Sequence, residues 1–190
     1  MHEREIFRPK SGLFLSGCVV LLCACFIWSA AATNGLATAI SWSLAVIDCT
    51  YLILIRPKVI FTEESLTIIN PIEEVTIGWG DIELVDAKWC MSISSKHGRF
   101  NAWAAPAPSR HHSKKIHPSE LKAMEIAGRE TISPARSPES DSGIAVHMAQ
   151  LRIATFHGAS TEFSRQRNWI ATALLGLSFA AALVFSAIGL

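Results

Sequence analysis

Three apolar runs, residues 13–32, 36–55 and 169–190, constrain this chain more than anything else in it. Each is about 20 residues long, which as a helix crosses the roughly 30 Å hydrocarbon core of a bilayer. Only Thr33-Asn34-Gly35 separates the first two, so they are expected to form a tight helical hairpin. Lys and Arg fall on one side of every run: Arg4, Arg8 and Lys10 before the first, Arg56 and Lys58 after the second, Arg165 and Arg167 before the third. The positive-inside rule then predicts a multi-pass protein of the cell (plasma) membrane. Its N-terminus (1–12) and everything from Arg56 to Arg167 are cytoplasmic, and the C-terminus is extracytoplasmic. The basic start and Ser29-Ala30-Ala31-Ala32 also resemble a signal peptide. The first run, however, exceeds the usual 7–15 residues of a signal's central region, and a second follows at once, so an uncleaved hairpin (13–55) is the reading adopted.

The runs account for much of the 50% apolar content, and the roughly 110 residues between the second and third have room for one small domain with linkers. A formal charge of +1 gives no case for nucleic acid as a partner. Of five cysteines, Cys18, Cys23, Cys25 and Cys49 lie in the first two runs and only Cys90 outside, which is no disulfide framework and fits a reducing cytoplasm. Asp48 is the one charged side chain within the apolar runs. An acid there costs about 2.5–3.5 kcal/mol on insertion scales, so it must face protein or neutralise. It is read as a helix–helix hydrogen bond to Ser16, Ser41 or the third span, in preference to an ion relay, because no second charge accompanies it. Small positions such as Ser16, Gly17 and Ala24 suit close helix packing, within the chain or in a homo-oligomer.

Between the second and third runs the sequence opens as β structure. Val59-Ile60-Phe61-Thr62 and Leu66-Thr67-Ile68-Ile69 are β-branched runs, the second stopped by Asn70-Pro71. Val75-Thr76-Ile77, Ile82-Glu83-Leu84-Val85, Trp89-Cys90-Met91-Ser92-Ile93 and Phe100-Asn101-Ala102-Trp103 follow, with Lys96-His97-Gly98-Arg99 as a hairpin turn. Short strands this closely spaced predict a small antiparallel meander. Alternation places Leu66, Ile68, Trp89, Met91 and Ile93 on a buried face, and Trp79, Trp89 and Trp103 read as core and strand packing.

These residues carry a resemblance. Arg56-Pro57-Lys58-Val59 after a hairpin, a strand ending in Asn70-Pro71, the pattern Val75-x-Ile77-x-Trp79-x-Asp81-Ile82, and His97-Gly98-Arg99 followed by Trp103-Ala104 together resemble a bacterial PH-like domain family. Its type is the actinobacterial low molecular weight protein antigen 6 membrane proteins. The resemblance covers residues 56–108 and implies a PH-like domain, a curved and partly closed antiparallel sheet, without implying phosphoinositide binding. The chain departs from the pattern after Trp103, where the helix that plugs the sheet does not follow directly.

A polar tract rich in Ser, Pro, Lys and Glu follows instead, read as a flexible linker over 109–143. Within it, Ser119 caps a short candidate helix over 120–127. Beyond it an amphipathic helix over 144–157 is expected, with Ile144, Met148 and Leu151 on one face, packed on the sheet or lying on the membrane. Acidic residues gather in the first strands and basic ones later. Lys88, Lys96 and Arg99 are therefore the candidate binding residues for anionic lipid headgroups or a protein partner, each cation near an anionic surface gaining about 1 kcal/mol. An ordinary solvated surface is the competing reading. His111, His112 and His117 have no acid or thiol at ligand spacing, so no metal site is expected. No Gly-x-Ser-x-Gly or phosphate-cradling loop is present, so neither catalysis nor a cofactor is expected.

The fold class expected is thus an α+β membrane protein: three transmembrane helices, the hairpin plus the C-terminal span, holding a small antiparallel PH-like β-domain. The function expected is a membrane-anchored, non-catalytic interaction module whose partners are membrane lipids and a protein or a second copy of the chain. The alternative is a transport or channel accessory subunit in which the helices act and the β-domain regulates.

Overall fold

A computed structural model describes residues 4–32, 35–87, 89–106, 141–158 and 161–189. The chain is α+β, with two antiparallel sheets and three helices long and apolar enough to span a membrane. It divides into two compact units. One comprises Met1–Arg8, Lys58–Ile69 and Val75–Arg165, the other Pro9–Pro57, Asn70–Glu74 and Gln166–Leu190.

The helical unit holds α1 (Lys10–Ala30), α2 (Leu36–Thr50) and α4 (Trp169–Ile188). A wider turn over Tyr51–Ile55 extends α2, closed by Arg56 N–H donating to the Tyr51 carbonyl at 2.8 Å. α2 packs between α1 and α4, and small residues on α2, namely Ala39, Ser41, Ser43 and Ala45, are buried there. Small side chains there let the helix backbones approach closely. The Trp42 indole donates to Ser186 Oγ at 2.9 Å and meets the Phe179 ring edge-on. A Cβ built on Gly12 would lie 2.6 Å from the Leu54 carbonyl oxygen, so α1 and the turn after α2 meet only because residue 12 has no side chain. Asn168 caps α4 by accepting from Ala171 N–H, and Gly189, at φ +74°, ends it in the left-handed region.

The β unit contains β1 (Glu5–Phe7), β2 (Lys58–Phe61), β3 (Ser65–Ile69), β4 (Glu73–Gly78), β5 (Ile82–Ala87), β6 (Cys90–Ser95), β7 (Gly98–Pro106), α3 (Asp141–Thr155) and β8 (Phe163–Arg167), with the ends of β4 and β8 falling in the helical unit. One sheet has the order β1-β2-β3-β4-β8, the other β5-β6-β7. β2 pairs with β3 from Lys58↔Ile69 to Phe61↔Leu66, and β5 with β6 from Ile82↔Ser95 to Ala87↔Met91. Val59, Phe61, Leu66, Ile68, Val75, Ile77, Met91 and Ile93 are fully buried and form the core. Each such side chain contributes about 1.5–3 kcal/mol over leaving it in water. Trp79 closes one end, stacked near Phe61 and donating from its indole to the Thr62 carbonyl at 3.1 Å.

α3 packs across β5, β6 and β7. The face it buries is not the one expected. Ser142, Ala145, Val146 and Ala149 are buried, Met148 is half-buried, and Ile144 and Leu151 are exposed. Small side chains let a helix approach a sheet closely, and that outweighs the larger area on the neighbouring face. Glu5 on β1 reaches Arg152 on α3 at 3.1 Å, an ion pair between the two.

Two tryptophans expected inside are outside. Trp89 precedes β6 in the bend after β5 and is 77% exposed, so the alternation that buries Met91 and Ile93 stops before reaching it. The pairing of β6 and β7 also shifts between Cys90 and Met91, where β7 bulges. Trp103 lies between the buried Ala102 and Ala104, and strand alternation turns it outward, 57% exposed. Strands β1 and β8 lie outside the expected meander. The candidate helix over 120–127, the histidine group and nearly all of the expected linker fall outside the described residues.

Candidate functional site

The hairpin joining β6 and β7 organises the polar side chains of the β unit. Ser95 and Gly98 pair across it, leaving Lys96 and His97 at the tip. Gly98 has φ +121°, a conformation that side-chain-bearing residues resist, so the tight tip depends on glycine there. Ser95 Oγ braces the turn, accepting from His97 N–H and donating to the Gly98 carbonyl, both at 3.2 Å.

Beneath the tip lies Asp81, at the end of the single turn Trp79–Asp81 that links β4 to β5. Its side chain is only 4% exposed. Lys96 Nζ donates to one carboxylate oxygen at 3.0 Å, and a ring nitrogen of His97 is 3.3 Å from the other. Lys96 N–H also donates to the Asp81 carbonyl, and its ammonium reaches the Gly80 carbonyl at 3.4 Å. A buried carboxylate is costly unless paired. The Lys96 hydrogen bond, helped by His97 and the charges of both, holds the Asp81 carboxyl below the usual carboxylate range although burial pulls it the other way. The His97 ring is engaged through its face as well: it stacks on Phe163 of β8, ring centroids 4.1 Å apart, and the Phe163 ring lies 6.0 Å from that of Phe100.

Arg99 and Lys96 flank one turn but do different things. Arg99 opposes Ser94 in register and donates to Ser92 Oγ at 3.0 Å, on the face of the β5-β6-β7 sheet turned away from the core. Strand alternation puts Leu84 and Trp103, both exposed, on that same face. Cys90, half-buried nearby, has its thiol pushed up by burial, an effect that outweighs the opposing pull of Arg99 and a backbone hydrogen bond from Ala102. Of the cations singled out in the sequence, Lys96 is committed to Asp81, Arg99 is exposed on the outer face, and Lys88 lies outside the described residues.

Asp48 is half-buried in α2, and its side chain makes no hydrogen bond or ion pair among the described residues. The partners expected for it are occupied elsewhere. Ser16 Oγ donates to the Gly12 carbonyl at 2.6 Å, and Ser41 Oγ to the Ala37 carbonyl at 2.8 Å. Each satisfies its hydroxyl on its own helix, the commonest local solution for serine in an apolar helix.

Asp81 was present in the sequence pattern as part of Trp79-x-Asp81-Ile82, and His97 as part of the turn, but nothing in their spacing joined them. The two signals that do are a carboxylate placed at a strand boundary and a Lys-His pair at a hairpin tip. Phe163 gave no signal at all. Among the described residues, no three His, Cys, Asp or Glu side chains gather in a manner able to hold a metal ion. No family model, no curated protein and no solved structure matches this chain.

Proposed function

We propose that this is a membrane-anchored, PH-like interaction module, non-catalytic, which binds a protein partner or anionic lipid headgroups at the cytoplasmic face. The observation that carries this reading is the outer face of the β5-β6-β7 sheet, where Arg99, Leu84 and Trp103 stand exposed on a scaffold whose other face is fully packed. Exposed tryptophan beside arginine is the composition that dominates binding hot spots. Support for the PH-like part comes from two antiparallel sheets around one core and from α3, a helix later in the chain than β7 that packs across β5, β6 and β7. That is the element missing directly after Trp103 in the sequence. Support for the membrane part comes from the three apolar helices and from the placement of Lys and Arg on one side of each.

With Lys96 neutralising Asp81, Arg99 is the side chain through which the hairpin meets a ligand. The test uses the full chain, affinity-tagged and purified in mild detergent, beside Arg99→Glu and Lys96→Glu. A co-purifying protein, or thermal stabilisation by added anionic but not zwitterionic lipid, is expected for the parent and lost in Arg99→Glu. Lys96→Glu is expected to lower thermal stability, because it sets a second carboxylate against Asp81. Unchanged binding in Arg99→Glu, or no partner and no lipid effect in the parent, refutes the reading.

A further inference from the structure

The turn between β3 and β4 belongs, by its packing, with the three helices: Asn70–Glu74 falls in the helical unit while the strands on either side continue in the other. It is a tight turn, closed by Asn70 N–H donating to the Glu73 carbonyl at 2.8 Å, with Pro71 and Ile72 at its tip. Its remaining carbonyls are taken up from outside the turn. Arg56 Nη1 donates to the carbonyls of Asn70 and Pro71, the latter at 2.6 Å, and Asn168 N–H donates to the carbonyl of Ile72 at 2.7 Å. Arg56 directly follows the last apolar turn of the second span, and Asn168 is the cap that opens the third. The two donors therefore come from the ends of two spans that share a side of the membrane in the topology set by the basic residues.

That arrangement has a specific chemical consequence. A turn normally keeps its free carbonyls in water, because an unpaired backbone group is costly in an apolar medium. Here the three consecutive carbonyls of residues 70–72 already have protein donors, and Pro71 has no N–H to satisfy. What the tip presents is a side chain, Ile72, 49% exposed. Beside the same span end, Trp169 is exposed with the Arg167 guanidinium 5.0 Å over its ring. A tryptophan with a cation at a span end is the composition of the belt where a helix leaves the hydrocarbon.

We infer that the Asn70–Glu74 turn is a membrane-interface element, with Ile72 seated in lipid at the boundary between headgroups and acyl chains. The inference rests on the membrane-anchored reading above. It is separate from headgroup recognition by Arg99. The contact is the apolar one of Ile72, and Glu73 and Glu74 after it, both half-buried, give anionic lipid no attraction to add to it.

The test places an environment-sensitive fluorophore at single cysteines in the full chain, with Cys18, Cys23, Cys25, Cys49 and Cys90 replaced by alanine or serine. The protein is reconstituted in phosphatidylcholine vesicles with and without a quarter phosphatidylglycerol. Ile72→Cys is compared with Glu83→Cys on β5 and Leu177→Cys in the third span. A label at 72 is expected to be quenched by shallow spin-labelled lipid and shielded several-fold from aqueous iodide, equally in both lipid mixtures. A label at 83 is expected to show the reverse. If 177 is quenched by lipid and 72 is open to iodide, the turn lies in water and the inference fails while the anchor stands. If 72 is shielded from both quenchers, it is covered by protein and the inference fails again. If 177 itself escapes lipid quenching, the membrane reading fails and takes the inference with it. Should the cysteine-free chain not fold, carbene labelling of the unmodified protein from a membrane-soluble diazirine, mapped by mass spectrometry, replaces it. Label on the 70–74 peptide supports the inference, and label on the span peptides without it overturns it.

Discussion

Gly12→Ala and Gly17→Ala make the same chemical change five residues apart in α1, and the structure gives them opposite outcomes. A Cβ at residue 12 would stand 2.6 Å from the Leu54 carbonyl oxygen, with the Leu54 carbonyl carbon at 3.5 Å behind it. Ordinary contact begins near 3.4 Å, so about 0.8 Å must be found, and the atom in the way is backbone. No side chain can swing aside; α1 must move off the turn over Tyr51–Ile55, or that turn must rewind. Overpacking of this kind costs about 1–3 kcal/mol. At residue 17 nothing lies within 4 Å. There the replacement gains only helix propensity, up to about 1 kcal/mol. Because both sites share that propensity gain to first order, the difference between the two variants isolates the clash at about 1–3 kcal/mol. Reversible unfolding by dodecyl sulfate in mixed micelles, followed by far-ultraviolet circular dichroism, reads that difference. Equal stability of the two variants would refute the close approach of α1 to the end of α2.

Other outcomes follow from the β unit. Asp81→Asn removes a carboxyl held below its ordinary range by Lys96 and His97. A depressed acid stabilises the fold above its unfolded pKa, about 3.9, and that stabilisation is lost as pH falls through the lower folded value. The parent is therefore expected to lose thermal stability below about pH 4, and the variant to start less stable at neutral pH with a flatter acid limb, both read from melting temperatures between pH 2.5 and 7. Ile93→Ala, in the core, is expected to cost about 2–5 kcal/mol, whereas Leu84→Ala, exposed on the outer face, stays within about 0.5 kcal/mol. Chemical denaturation of the full chain in detergent separates them. A charge exchange of Glu5 and Arg152 is expected to restore most of the stability that either single reversal loses, the pair itself being worth about 0.2–1 kcal/mol by double-mutant cycle.

The elements readable in the sequence are those whose side chains encode their own environment. The three apolar helices and β2 to β7 are of this kind: long uniform runs in one case, β-branched runs broken by Asn70-Pro71 or by Lys96-His97-Gly98 in the other. What was not readable depends on neighbours. β8 reads Phe-Ser-Arg-Gln-Arg and has mostly exposed side chains, so it is a strand only because another strand offers backbone partners. β1 is three residues at the opposite edge of the same sheet, too short to show a period. α3 shows two competing apolar stripes, and the buried one is decided by how near the sheet allows a helix to come. Trp89 and Trp103 look like core by composition, yet a bend before β6 and simple alternation in β7 send both outward. The joining of Asp81 to Lys96 and His97 spans 15 and 16 residues and is set by the link between β4 and β5.

Under the proposed function, the sheet face bearing Arg99 recognises a ligand while the helices anchor the chain. Site-specific photo-crosslinking in intact cells probes that face with Arg99 left in place, p-benzoylphenylalanine replacing the exposed Leu84 beside it and, for comparison, Gln150 on the exposed side of α3. A discrete adduct is expected at position 84, a single protein band or a lipid-modified peptide by mass spectrometry, and none at 150. An absence of adducts at both positions, or the same adducts at both, would contradict it.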